Sequence, residues 1–289
     1  MVKPFLTIDE QIAKLRANGL AIPDADLPSA KRLLGDHNYY RLSGYFRYFQ
    51  ENPQAGQNRF EQGSDLAKIQ AAYDFDRHLA VVLRNGLAEF EVVFRSRLAH
   101  LMAASSGQTG YLDEQTYDNP NGTSRAKLLK SIQDDIGRSE ERFTRHHYDR
   151  GESMPIWAAV EVLSLGTTSK MYGLIRDSEG VYKPLAEGFG LKPRYSRKVF
   201  RSMTVLRNVC SHHGRIWNRI GIDLETPPPA RGKNDNKNIH VNTPWAWCST
   251  LVYLVGQLRD DSTFYDELWD FIEPQPDWLV NGLTHPSPK

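Results

Sequence analysis

The sequence predicts an all-α fold, and three observations lead there. Apolar residues recur at steps of three and four over long proline-free stretches, the period of one helix face. Residues suited to capping or stopping a helix fall at the ends of those stretches. No region keeps the period-two alternation of a half-buried strand.

The elements follow in order. In Thr7-Ile8-Asp9-Glu10 the hydroxyl and the carboxylate can satisfy each other's backbone N–H groups, a capping box. It predicts a helix to about Asn18, closed by Gly19. A second helix is expected from Pro28 to Leu34, followed by the aromatic-dense "HNYYRLSGYFRYF". Pro53, Gly56 and Gly63 make Asn52 to Gly63 read as a linker. From Asp65 to about Met102 no proline interrupts a stripe of Ile69, Tyr73, Leu79, Leu83, Leu87, Phe90, Phe94, Leu98 and Leu101. That predicts one helix roughly 50 Å long. After the loop "SSGQTGYLDEQTYDNPNGTS", a charged helix is expected from Arg125 to about Tyr148. "MPIWAAVEVLSLGTTSKMYGLI" reads as two helices joined at Gly166, with Thr167 as the second one's N-cap. A short helix near Tyr182 to Glu187, a basic segment and a proline-led loop from Pro227 to Thr243 come next. A last helix from Pro244 to Arg259 turns Trp245, Leu251, Leu254 and Leu258 inward. The expected organisation is an aromatic-basic N-terminal unit (1–63), a main helical domain (64–260) and a tail (261–289) packing on or trailing the bundle.

With 289 residues, 40% hydrophobic and 25% charged, the chain can bury an ordinary globular core. Its two cysteines, Cys210 and Cys248, do not make a disulfide framework. The N-terminus lacks the apolar run of a signal peptide, and no apolar stretch is long enough to span a bilayer. A cytoplasmic protein is expected. The formal net charge of +1 excludes global basicity as a sign of nucleic-acid binding. The distribution says more. Between Gly188 and Ile222 there is no acid, while Lys192, Arg194, Arg197, Lys198, Arg201, Arg207, Arg215 and Arg219 all carry positive charge.

The second half of that segment, "LRNVCSHHGRIWNR", concentrates the chemistry. If Ser202 to Ile220 is one helix, Leu206, Val209, Cys210, His213, Ile216, Trp217 and Ile220 share an apolar stripe. Asn208, His212, Arg215 and Arg219 then share the opposite face, with Arg207 beside them. On this reading His213 is a buried, hydrogen-bonded histidine and His212 is presented to solvent. Solvated polar faces are common, so His212 on spacing alone could be no more than that. Flanked by guanidinium groups, however, an imidazole can take a proton from a ribose 2′-hydroxyl or give one to a leaving 5′-oxygen. Arginine can grip the phosphate in a bidentate way and stabilise the transition-state charge. The ligand spacings of a zinc site, C-x-x-C or H-E-x-x-H, do not occur, and neither does a P-loop or G-x-G-x-x-G. No metal or other cofactor is expected.

Arg207-Asn208-Val209-Cys210-Ser211-His212 matches the R-x4-H motif of HEPN ribonucleases in its R-N-x-x-x-H form. "LRNVCSHHGRIWNR" as a whole resembles the signature of the Abi-like (AbiD/AbiF) abortive-infection proteins of bacteria. "HNYYRLSGY", "YDFDRHLAVVLRNGLAEFEVVFRSRL" and "PIWAAVEVLSLGTTSKMY" are similar to that family's other blocks, in the same order, so the resemblance spans roughly residues 3 to 260. The resemblance implies a HEPN-type helical bundle with a small N-terminal helical extension. It also implies an RNA-cleaving toxin of phage defence that works as a homodimer, and a small noncoding RNA that restrains it. HEPN toxins controlled by tyrosine modification carry a tyrosine where this chain has Gly214, so that form of control is not implied.

The expected roles are Arg207 on the scissile phosphate, His212 as general acid or base and Asn208 as the residue that fixes their geometry. Arg215, Arg219, Arg201 and Lys198 would contact RNA along the same segment. Arg41 and Tyr40, from a run (Tyr39, Tyr40, Arg41, Tyr45, Arg47, Tyr48) that joins rings to guanidinium groups as single-strand platforms do, would add to it. The same aromatics could equally pack the N-terminal unit onto the bundle. Glu91 and Arg95, four apart on the long helix, could be a simple intrahelical ion pair. They could instead orient Arg207 or His212 across the bundle. His146 and His147 carry no clear signal, and Arg231, Lys233 and Lys237 beside Asp235 are a weak RNA-contact candidate. A non-cleaving RNA-binding protein using the same basic face, or a protein-interaction bundle, are the alternative readings.

Overall fold

The computed structural model describes residues 4–176, 178, 180–221 and 242–287. Among them the fold is all-α, with one small hairpin. Helix α1 (Ile8–Ala17) begins at the predicted capping box: the Thr7 hydroxyl accepts from the Glu10 amide, and the Glu10 carboxylate accepts from the Thr7 amide. It ends at Asn18, followed by Gly19 at φ +91°. Helices α2 (Leu27–Asp36) and α3 (Tyr39–Phe46) come next.

The expected linker is instead a hairpin of β1 (Gln50–Asn52) and β2 (Gln57–Phe60). Strands of three and four residues are too short to show a period, which is why the pattern concealed them. The Asn52 side chain accepts from the Ala55 amide and closes the turn.

Helix α4 (Leu66–Ser106) is the axis of the molecule. Its 41 residues span about 60 Å, longer than the sequence reading proposed. The Asp65 side chain caps its start by accepting from the Lys68 amide. Leu79, Leu83, Leu87, Phe90, Phe94 and Leu98 are fully buried along one stripe. Burying each side chain of this size contributes about 1.5–3 kcal/mol before conformational entropy is counted.

The charged stretch divides into α5 (Ser124–Arg138) and α6 (Arg142–Asp149). Helices α7 (Ile156–Val162) and α8 (Leu165–Leu174) meet two residues earlier than predicted. Ser164 is the N-cap and accepts from the Thr167 amide, while the Thr167 hydroxyl turns to Asp135 (2.5 Å). Then follow α9 (Tyr182–Gly188), α10 (Pro193–Ser211), α11 (Pro244–Arg259), α12 (Thr263–Ile272) and α13 (Asp277–Thr284).

Helices α3, α7, α10, α11 and α12 all pack against α4. Phe90 and Phe94 of α4 interlock with Tyr172, Phe189 and Phe200, ring centroids 4.9–6.4 Å apart. On α11 the buried indole is Trp247 rather than Trp245; its Nε1 donates to the Ser202 hydroxyl of α10 at 2.8 Å. Helix α12 lies so close to α4 that a Cβ on Gly86 would sit 2.6 Å from Phe264. The N-terminal unit and the C-terminal helices share one hydrophobic core with the bundle. No helix among the described residues is long and apolar enough to cross a membrane.

Candidate active site

Helix α10 does not run to Ile220; it stops at Ser211. The Gly214 amide donates to the Val209 carbonyl (2.7 Å) and the His213 amide to the Cys210 carbonyl (3.4 Å), the paired bonds of a Schellman ending. His212 is the C-cap, and His213 takes the left-handed position at φ 54°. This corrects the helical wheel. Beyond Ser211 its arcs do not exist, so His213 is exposed rather than buried, and Ile220 is 53% exposed. His212 is exposed as expected, one turn beyond Asn208, whose carbonyl accepts from the His212 amide (2.9 Å).

Arg207 is fixed from across the bundle. Its Nε donates to Glu91 Oε2 (2.8 Å) and its Nη2 to Glu91 Oε1 (3.2 Å), a bidentate pair with the guanidinium side chain 33% exposed. Glu91 is also paired with Arg95, whose Nη1 donates to the carbonyls of Val160 in α7 and of Leu163, the residue that follows it. The intrahelical pair and the cross-bundle role are therefore both present: Glu91 orients Arg207, and Arg95 holds Glu91. Two guanidinium groups share one carboxylate, so the cluster keeps a net positive charge. Arg207 Nη1 also donates to the Asn208 side-chain oxygen (3.3 Å).

The segment after the helix is anchored by Asp76 of α4, a residue to which sequence reasoning gave no role. Its carboxylate is buried and accepts from the Tyr45 hydroxyl (2.6 Å), the Trp217 amide (2.8 Å) and the Ile216 amide (3.2 Å). Complete burial pushes the Asp76 carboxyl above its ordinary range, while Tyr45, the two amides and the Arg215 charge pull it down. Arg215 is turned inward, donating to the carbonyls of Trp217 and Asn218 at 2.6 Å each. Its guanidinium serves the turn rather than an RNA-facing arc.

A signal for Asp76 was present. It continues the stripe of Ile69 and Tyr73 at helical spacing, and an acid on an apolar stripe must have partners. Trp217 completes the anchor. It is fully buried, donates to the Leu279 carbonyl (2.8 Å), and lies where a Cβ on Gly282 would come within 2.0 Å of its ring. The C-terminal helix α13 thus holds the residues just past the motif.

The other candidates are spread along α10 and beyond it. Lys198, Arg201, Val205 and His212 are exposed along one side of the helix at three- to seven-residue intervals. Arg219 places its guanidinium 5.6 Å from the Trp247 ring centre. Arg41 donates to the His213 carbonyl and stands 5.9 Å from the Tyr73 ring centre, so the N-terminal unit reaches the motif. Tyr40 beside it is 86% exposed, whereas Tyr45 is a core residue. His146 and His147 lie on α6, in contact with each other and not with the motif. Arg231, Lys233, Lys237 and Asp235 fall outside the described residues. Cys210 and Cys248 are both buried free thiols; burial pushes Cys210 up to about 12, which keeps it a neutral thiol at physiological pH.

Neither a curated protein nor a solved structure matches the chain. A family model described as "Abi-like protein" matches residues 32–218, from the second helix through the motif and its anchor. That span covers more than half of the 289 residues and includes α4, α10, Asp76, Glu91, Arg207 and His212. The chain belongs to the Abi-like protein family.

Proposed function

We propose that this chain is a HEPN-type endoribonuclease that needs no metal. Membership of the Abi-like family suggests abortive infection, a form of phage defence, as the setting. The observation that carries the catalytic reading is the exposed His212 at the end of α10, one turn from Asn208 and close in sequence to an Arg207 already oriented by Glu91. A solvated helix face with no function has no need of a bidentate carboxylate reaching 116 residues across the bundle to hold one arginine.

In the proposed reaction His212 takes the 2′-hydroxyl proton as the 2′-oxygen attacks phosphorus. The P–O5′ bond breaks, and the leaving 5′-oxygen receives a proton from a second group. Arg207 balances the charge that builds on the phosphoryl oxygens. The products are a 2′,3′-cyclic phosphate and a 5′-hydroxyl. Arg219, Arg41 and Tyr40 near this end of α10, with Arg201 and Lys198 further back along the helix, would carry the flanking strand. The second proton-transfer group is proposed to be His212 of another copy, because a two-fold axis beside the motif would bring a second identical imidazole to the same phosphate. A small noncoding RNA is the proposed restraint on the toxin.

The test is cleavage of RNA by purified wild type and His212→Ala protein, with chelator present. Wild type should cleave, and a substrate with 2′-deoxyribose at the scissile position should resist. The variant should lose activity by about two to four orders of magnitude with an unchanged melting temperature. Equal cleavage by both proteins sinks the reading. Cleavage lost to the chelator and restored by a divalent ion would point to a metal nuclease.

A further inference from the structure

Helix α4 meets the α10 region at two fixed points. Asp76 receives the amides of Ile216 and Trp217, and fifteen residues later Glu91 receives Arg207. Rising numbers on α4 therefore meet falling numbers along the Arg207–Trp217 segment. Arg84 lies on α4 between these two contacts, eight residues past Asp76 and seven before Glu91, on the stretch of α4 that spans the Arg207–Trp217 segment containing His212. Arg84 precedes Glu91 by seven residues, two helical turns, so it leaves α4 within about 20° of the Glu91 direction. It is exposed. Its positive charge also favours the thiolate of Cys210, in the last turn of α10, against the effect of burial.

The acids around Arg84 are committed elsewhere. Glu89 is paired with Arg259, Glu91 with Arg95 and Arg207, and the neighbouring Asn85 donates to Glu267. Among the described residues Arg84 has no hydrogen-bond or ion-pair partner. The two arginines on this side are thus unlike each other. Arg207 is held in one geometry by a carboxylate; Arg84 is exposed, and among the described residues its charge has no ion-pair partner.

We propose that Arg84 is a second phosphate-binding guanidinium of the His212 site, gripping the RNA backbone next to the scissile phosphate from the α4 side. This rests on the RNA reading above and extends it to a residue outside the motif. The fixed Arg207 suits the phosphate whose charge changes during reaction, because it needs no reorganisation. The unpaired Arg84 suits a phosphate that is merely held, so its loss should act on binding more than on turnover.

The experiment uses a fluorescent single-stranded oligouridylate and the full-length His212→Ala protein over a series of salt concentrations. Adding Arg84→Ala should weaken binding about tenfold at low salt. It should also lower the slope of log affinity against log salt by about 0.7, one phosphate contact on a single strand. Arg84→Lys should restore the slope but only part of the affinity. In the chain with His212 intact, Arg84→Ala should raise KM and leave kcat nearly unchanged. Unchanged affinity and slope, in a protein that still binds RNA and cleaves through His212, overturns the role of Arg84 and leaves the nuclease reading standing. Absence of both RNA binding and cleavage in the wild type overturns that reading, and the proposal with it. If Arg84→Ala lowers the melting temperature, Arg84→Lys decides: an unchanged slope relative to wild type supports the phosphate contact, and a slope lowered as in Arg84→Ala overturns it.

Discussion

Arg207 and Arg215 leave the same acid-free segment eight residues apart and arrive at opposite fates. Arg207 stands on the last two turns of α10, a third exposed, gripped by Glu91. Arg215 lies past the helix end, folded inward onto the carbonyls of Trp217 and Asn218 near the buried Asp76. Within the helix, position on the wheel decides which way a side chain faces. Past the helix end the deciding factor is the set of backbone groups that have lost their helical partners and must be satisfied. Composition makes the two arginines look alike, and the Schellman ending at His212 separates them.

The largest expected effect breaks the comparison on the Arg207 side. If Arg207 stabilises the reacting phosphate, Arg207→Ala should lower RNA cleavage by about 10²–10³-fold. Melting temperature should change little, because Glu91 keeps Arg95 as a partner. The reverse result, a stability loss with cleavage intact, would make Arg207 a structural ion pair.

Arg215 should behave in the opposite way. Arg215→Met keeps the apolar stem but leaves two carbonyls without a donor and the Asp76 carboxylate without its nearest balancing charge. A loss of about 3 kcal/mol in urea unfolding is expected. The activity of the molecules that remain folded should fall much less than in Arg207→Ala. A stable, inactive Arg215→Met protein would return this residue to the RNA-contact face.

Much of this was legible in the sequence, because helices advertise themselves. The capping box at Thr7, the stripe on α4 and the bounds of α11 follow from spacing alone. So do the exposure of His212 and the burial of Cys210, both decided by residues still inside or capping α10. The hairpin at 50–60 was hidden because its strands are too short to alternate, and the α7–α8 junction because Ser164 outcompetes Thr167 as cap. The fates of His213, Arg215 and Ile220 were misread for one reason. An apolar pattern that includes Ile216 and Trp217 looks helical, yet those residues are buried by a turn that Asp76 anchors from 140 residues away. Such a long-range acceptor leaves no local periodicity.

Asp76 itself supplies a smaller, signed test. Burial raises its carboxyl above the ordinary 3.8, outweighing the hydrogen bonds and the Arg215 charge. A carboxyl with a higher pKa in the folded state binds its proton more readily there. Its titration therefore adds stability below the ordinary value and withdraws it as pH rises through the raised one. Asp76→Asn removes this titration. The stability of wild type relative to the variant should accordingly increase as the pH is lowered from about 7 to about 4, measured by urea unfolding of both proteins. A wild-type advantage that grows with rising pH would mean that Tyr45, the two amides and Arg215 dominate, making the anchor a stabilised anion.

The smallest effect concerns His213, at the boundary between the two regimes. Its backbone sits at φ 54°, the position just past a helix end where glycine is usual because a Cβ meets the following carbonyl. The imidazole is exposed, and the contact this residue makes with Arg41 uses its carbonyl rather than its ring. His213→Gly should therefore relieve strain and lose almost nothing, raising stability by about 0.5–1 kcal/mol. His213→Ala keeps the Cβ and should leave stability within about 0.5 kcal/mol of wild type. Neither change should touch RNA cleavage, which separates this histidine from its neighbour in function as the helix end separates them in space. If both variants instead lose about 1–3 kcal/mol, the side chain is making a buried hydrogen bond. That result would mean that α10 continues through His213 and that the division between Arg207 and Arg215 needs another cause.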